Sequence, residues 1–314
     1  MEYNRYPTYR PTGQAAGQPP RRRRDHRSAP KQKRWPRLLR WAVVIALVLM
    51  IASGFLSPLF PEVEYVSLTA TDLPRDIGTL KVVYLSDIHY GFCYGKSQLK
   101  ELVDTVNGMN PDLILLGGDY ATNSDSAIAF FREAPAFRAR YAVCAVMGDA
   151  DRTLPDSNKS KLSTAMFTAG VYPLVNDAME VRIGNSSLWV AGVDDVTNGN
   201  PQVQQVASKL RNEDYVIFLS HNPAILAQAQ DALSASGQRG WFDLGLFGHT
   251  HGGQIGFFPS LLGPKDVHNR YLKGGWFQEN RVDLLISRGV GTRTLPLRLF
   301  CSPQIHVLTI KSGK

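Results

Sequence analysis

Five times in this chain a short apolar run, of the kind that forms a buried strand, ends directly in carboxylates or imidazoles. Lys81–Ser86 delivers Asp87 and His89, Asp112–Leu116 delivers Gly118-Asp119, and Tyr141–Met147 delivers Gly148-Asp149-Ala150-Asp151. Further on, Tyr215–Leu219 leads to Ser220-His221-Asn222-Pro223, and Phe242–Phe247 leads to Gly248-His249-Thr250-His251. Crevices at the carboxyl ends of strands are where α/β sheets gather their ligands. A fold that uses this pattern must bring those strand ends to a common rim.

These segments hold four of the seven histidines. Carboxylate oxygens and imidazole nitrogens suit divalent transition metals. Two such ions side by side can clamp a phosphoryl group and activate a water against it. The residues alone therefore point to a two-metal phosphoesterase. The bland alternative, buried structural histidines, is weakest for His249 and His251. Their spacing of two puts both rings on one side of an extended segment, and a turn after the strand achieves the same.

The rest of the pattern is compatible. Ser97–Gly108 carries Leu99, Leu102, Val103 and Val106 at helical spacing, and Pro111 stops it. A second helix is expected over Ser126–Ala134, ended by Pro135. Glu180–Ile183 and Ser187–Gly192 read as a hairpin through Gly184-Asn185. Arg281–Ile286 and Ile305–Ile310 are the last expected strands. Strand–helix alternation early and hairpins later suggest mixed sheets with helices outside, an α/β (α+β) class.

In this order the motifs resemble the calcineurin-like metallophosphoesterase superfamily: Asp-x-His, Gly-Asp, a Gly-Asn-His-Asp/Glu counterpart, His, then Gly-His-x-His. The likeness covers residues 81–310. Ser287-Arg288-Gly289-Val290-Gly291-Thr292 and Leu295–Phe300 resemble the membrane-anchored bacterial branch, whose members hydrolyse phosphodiesters or the pyrophosphate of UDP-diacylglucosamine. The resemblance implies a four-layer αββα sandwich with metals at one edge. It also implies that Asp87, His89 and His251 bind a first metal and that Asp119 bridges both. His221, His249 and the residue at Asp149 would bind the second. The ions would be drawn from Mn, Fe, Zn or Co. The substrate would be a phosphoester or pyrophosphate, with lipid-linked and nucleotide-sugar compounds among the candidates.

One motif departs from the family. Where Gly-Asn-His-Asp/Glu is expected, the chain reads Gly148-Asp149-Ala150-Asp151. Asp149 keeps an oxygen donor and adds a charge. Ala150 removes the imidazole expected to protonate the leaving oxygen, a function worth about 10²–10⁴ in rate. Three readings follow. The enzyme acts on good leaving groups such as phosphoanhydrides, or Asp151 or another residue supplies the proton, or the domain is a catalytically impaired binding module. Gly252-Gly253 would let backbone approach the phosphate. The apolar run Ile255, Phe257, Phe258, Leu261, Leu262 is either core or a lip that admits a lipid tail. Asp194-Asp195 reads as capping.

Charge is unevenly placed. Residues 1–40 hold twelve Lys/Arg against Glu2 and Asp25, a local net of +10 in a chain of +8, so residues 41–314 carry about −2. A nucleic-acid-binding enzyme would carry its basic patch on the folded domain, so nucleic acid is not expected as a partner. Residues 1–40 read as a disordered cytoplasmic tail. Trp41–Phe60, twenty residues without a charge, matches a bilayer core of about 30 Å and reads as a signal anchor. A cleaved signal peptide and a buried helix are the weaker alternatives. Arg37 and Arg40 at its near edge put the amino terminus in the cytoplasm, and the domain 61–314 outside the cell. Pro58 and Pro61 end the helix and start an extended linker. Cys93, Cys144 and Cys301 show no CxxC spacing and form no disulfide framework.

Overall fold

The computed structural model describes residues 35–92, 94–153 and 156–313. Residues 1–34 of the expected tail and Cys93 therefore lie outside the described residues, whereas 35–40, expected to be disordered with that tail, are helical. The first element is helix α1 (Trp35–Leu56), which begins six residues before the expected span and gives way to a 3₁₀ turn over Ser57–Leu59. Proline inside that turn has no backbone N–H to continue the α ladder. Residues 37–59 are long and apolar enough to cross a membrane.

Where a linker was expected after Pro61, the chain forms an edge strand, β1 (Glu62–Ala70). Its in–out alternation from Glu64 to Ala70 suits an edge whose outer face meets water. The following strands are β2 (Thr79–Leu85), β3 (Leu113–Leu116), β4 (Ala142–Ala145) and β5 (Tyr172–Pro173). Then come β6 (Asp177–Ile183), β7 (Ser186–Gly192), β8 (Val216–Leu219) and β9 (Leu244–Phe247). The last are β10 (Gly275–Glu279), β11 (Val282–Ile286) and β12 (Gln304–Ser312). One sheet runs β1-β12-β2-β3-β4-β5 and the other β10-β11-β9-β8-β7-β6. The expected hairpin is the antiparallel β6–β7 pair.

Helices α2 (Lys96–Gly108), α3 (Ser124–Glu133) and α4 (Asp156–Thr168) follow β2, β3 and β4. α3 starts two residues earlier than expected because Asn123 caps it, its side chain accepting from Ser126 N at 2.9 Å. The alternation of β2 explains the layers. Val83 and Leu85 pack outward with Leu99, Leu102 and Phe130. Val82 and Tyr84 turn the other way, onto Val190, Ile217 and Leu246 of the second sheet. The far face of that sheet, including Phe218 and Phe247, is covered by Val203, Leu226 and Trp241. Helices, sheet, sheet and helical segments thus form the four layers anticipated. Each fully buried Leu or Phe contributes about 1.5–3 kcal/mol.

What matters for function is direction. β2, β3 and β4 are mutually parallel, and β8 and β9 are mutually parallel. Their carboxyl ends are the five places where the polar motifs begin.

Candidate metal centre

The seven side chains singled out from the sequence converge on one buried pocket. Asp87, Asp119 and His221 are at most 1% exposed, and His89, His249, His251 and Asp149 at most 7%. Three groups have donor atoms mutually within 4.8 Å: Asp87, His89 and His251; Asp149, His221 and His249; and, between them, Asp87, Asp119 and His221. Asp119 Oδ2 is 3.5 Å from His89 Nε2 and 3.4 Å from His221 Nε2, so one carboxylate oxygen faces both halves. His89 Nε2 and His251 Nε2 approach to 3.1 Å, and His249 Nδ1 and His221 Nε2 to 3.3 Å.

Backbone geometry aims these groups. Asp87, His89, Asp119, His249 and His251 all have φ between 49° and 68°. Left-handed backbone is uncommon outside glycine, though Asp and His tolerate it better than most. Each such residue stores of order 1 kcal/mol, held by the surrounding structure. The strand ends are therefore bent into tight turns that point side chains inward. Gly118 makes this possible: at φ +92° a Cβ would lie 2.6 Å from the Gly148 amide and 2.9 Å from His221 Nδ1.

A second layer fixes the rings. His221 Nδ1 is 2.8 Å from Gly117 O, so the proton belongs on Nδ1 and the Nε2 lone pair faces the carboxylates. His249 Nε2 is backed by Asp266 Oδ1 at 3.3 Å, and Asn222 Nδ2 donates to the other Asp266 oxygen at 2.6 Å. Arg298, 1% exposed, donates to Gly291 O at 2.8 Å and His251 O at 3.4 Å, tying the 288–291 loop to the turn that carries His251.

Electrostatics agree with a cation site. Burial disfavours a charged His221, yet the carboxylates of Asp119, Asp149 and Asp87 hold its proton affinity well above that of an ordinary imidazole. Burial likewise opposes charge on His249, but Asp149 and Asp266 lift it to about 9. His251 goes the other way, lowered by burial and by His89 and Arg298. Three buried carboxylates need compensating positive charge. The protons that these carboxylates draw onto His221 and His249 supply part of it, and Arg293 reaches only Asp149, with Nη2 3.1 Å from Oδ2. A divalent cation would take the place of those protons, and the clustered carboxylates and mixed N/O donors fit one.

Asp151 is placed differently from the expected proton donor. Its Oδ2 accepts from Asp119 N at 2.7 Å and Gly148 N at 2.9 Å, and its Oδ1 from Tyr120 N at 3.1 Å. It is 2% exposed and clamps the turns that carry Asp119 and Asp149 rather than facing the cleft. Burial and the nearby Asp119 carboxylate push it up to about 8, while the amides pull the other way. Gly252 does not open on the cleft either, because a Cβ there would strike Cys301 Sγ at 2.6 Å and Arg288. Cys301 and Cys144 are buried free thiols. Asp194 and Asp195 do cap: Asp194 Oδ2 accepts from Asn200 N and Asp195 Oδ2 from Thr197 N and Asn198 N. Phe257, Phe258 and Leu261 are 64–67% exposed, which rules out core packing for them.

Sequence reading missed Arg293, Asp266 and Lys265. Each lies on a loop between strands, with no periodic signal to mark it. Together with Asp149, His249 and Thr197 they line an open cleft of about 300 Å³ beside the centre.

Comparison with known proteins agrees with this geometry. The profile of the calcineurin-like phosphoesterase family matches residues 80–253, more than half of the chain. The metallophosphoesterase YkuE of Bacillus subtilis is 26% identical over 265 residues, covering 82% of this chain and 88% of that protein. The phosphodiesterase YaeI of Escherichia coli is 29% identical over 245 residues, 73% of this chain and 82% of that protein. A zebrafish (Danio rerio) transmembrane protein with a metallophosphoesterase domain is 25% identical over 284 residues, 87% of this chain and 62% of that protein. The chain belongs to the calcineurin-like phosphoesterase family, and is a metal-dependent hydrolase of phosphoesters. An impaired binding module, which drew only on Ala150, gains no support.

If Asp151 only clamps backbone, Asp151→Ala orphans three amides and costs about 2–4 kcal/mol, read as a lower thermal midpoint. The ratio of alkyl-ester to aryl-ester hydrolysis should stay within about threefold of the parent. A selective loss of about 10² on the alkyl ester would make Asp151 the proton donor after all.

Proposed function

We propose that this chain is a membrane-anchored hydrolase that holds two divalent cations and cleaves phosphoanhydrides, or phosphodiesters with good leaving groups, outside the cell. Asp87, His89 and His251 would hold one ion, Asp149, His221 and His249 the other, with Asp119 between. The observation that carries the reading is the convergence of these seven buried donors beside a cleft lined by Arg293 and Lys265. Bound there, the ions would polarise the phosphoryl oxygens and ease deprotonation of a water.

The chain's own residues define the substrate preference. Arg293 is 45% exposed and reaches Asp149 from the cleft side. Its guanidinium offsets the charge that Asp adds at a position where the family pattern has Asn. Arg293 also lines the cleft, where its remaining donors would suit the non-bridging oxygens of a phosphate. Arginine does not release a proton at neutral pH, so it stabilises a departing anion without protonating it. Ala150 N donates to Asp119 Oδ1 at 2.9 Å, which keeps the carboxylate oriented, and the methyl group has no proton to give. A pyrophosphate leaves as a stable anion and needs little protonation. An alkoxide does not.

The domain order supports the localisation: a basic tail over 1–40, an apolar segment over 41–60, and the hydrolase over 61–314. The excess of Lys and Arg before the apolar segment favours a cytoplasmic amino terminus. Lipid-linked and nucleotide-sugar pyrophosphates are the substrate classes that suit such a position.

The test is the Mn²⁺-loaded protein on a nucleotide-sugar pyrophosphate, an activated aryl phosphodiester and an alkyl phosphodiester. The first two should be cleaved at least about 10²-fold faster than the third. Ala150→His should raise the alkyl rate most, and Arg293→Met should raise KM about tenfold on all three. An alkyl ester cut as fast as the anhydride sinks the leaving-group reading.

A further inference from the structure

Beside the cleft the protein exposes an apolar knob that nothing among the described residues covers. Phe257 and Phe258 are each 67% exposed, Leu261 64% and Phe300 61%. The knob is built, not frayed. The Phe257 and Phe300 rings lie 4.6 Å apart, Gly256 N donates to Leu299 O at 2.8 Å, and Ile255 pairs with Leu299. Contiguous exposed apolar groups of this size mark an interaction surface.

The same loop is fastened to the apolar helix. Arg298 N donates to Gly54 O at 2.9 Å. Leu297 and Leu299 pack so closely on Gly54 that a Cβ there would come within 2.5–2.7 Å of their side chains. Around this joint the helix presents Leu49, Phe55 and Leu56 outward, each at least 50% exposed. The knob's loop and the last turns of the helix, Leu49 to Leu56, thus meet at an apolar joint. Gly54 follows Arg37 by 54 − 37 = 17 residues, about 26 Å of helix at 1.5 Å per residue. In a bilayer core of about 30 Å that is the level of the far interface. Lys265, whose Nζ donates to Ser260 O at 2.6 Å, adds a cation at the base of the knob. An apolar tip with a cation at its base suits a segment that lies in an anionic lipid interface.

We infer that residues 256–261 and Phe300 form a lip that sinks into the outer leaflet beside α1. The cleft then opens at headgroup level, and its substrates are phosphoesters or pyrophosphates carried by membrane lipids. This rests on the anchored reading above. The bilayer is the occupant because the knob's loop meets the last turns of the helix that enters it.

The test uses the full chain in nanodiscs of phosphatidylglycerol and phosphatidylethanolamine, with p-benzoylphenylalanine placed at Phe258, at Leu47 or at Phe167. Phe167 is 69% exposed on α4. Irradiation should give lipid adducts at 258 and 47 and none at 167. Adducts at 47 alone overturn the lip and leave the anchor standing, and adducts at neither position overturn the anchor as well. In native membranes, an adduct from 258 to another protein rather than to lipid overturns the bilayer as occupant. A second arm compares a diacylglycerol p-nitrophenyl phosphodiester held in the nanodisc with bis(p-nitrophenyl) phosphate in water. Changing Phe257→Ser with Phe258→Ser should lower the first rate relative to the second by about tenfold. An equal effect on both, or none, overturns lipid-borne substrates.

Discussion

Three carboxylates held together out of water are the constraint to which the rest of this structure answers. Asp87, Asp119 and Asp149 are all less than 8% exposed, and like charges at this range repel strongly at low dielectric. Protons drawn onto His221 and His249 offset part of it, and a bound cation would take their place. The fold keeps them in place by spending rigidity elsewhere: parallel strands fix the origin of each turn, left-handed backbone bends it inward, and Asp151 ties two turns together through three amides. The site is preorganised for positive charge before any arrives.

That preorganisation accounts for the tolerance of the 149–151 motif. Asp149 brings one more negative charge than the family's Asn, and Arg293 answers it from 144 residues further along the chain. Ala150 keeps the backbone amide that orients Asp119 and discards only the side chain. The substitution therefore alters the leaving-group end of the reaction while sparing the grip on the cations. Substrate choice, rather than the existence of activity, is where the difference should be felt.

Much of this was legible in the sequence because strand ends carry their own punctuation. The apolar runs before Asp87, Asp119, His221 and His249 are short, β-branched or Leu-rich, and stopped by Gly or Ser, so both the strand and its terminal ligand could be located. β1 was missed because Pro58 and Pro61 promise a linker, and only parallel pairing with β12, some 240 residues away, makes Glu62–Ala70 a strand. The backbone contacts of Asp151 were not legible because adjacency to a motif says nothing of which way a carboxylate points. Arg293, Asp266 and Lys265 were invisible for a related reason. The partners of Arg293 and Asp266 are remote in sequence, and no periodicity marks a loop residue that becomes important only when two sheets meet.

The most direct measurement is the metal content of the purified protein, by mass spectrometry after expression with Mn²⁺ and no chelator. Two equivalents of divalent transition metal per chain are expected, falling to one or fewer in Asp119→Ala, because that carboxylate faces both halves of the centre. Fewer than about 0.1 equivalent in a folded parent protein, or an unchanged ratio in the variant, would contradict the paired-cation centre.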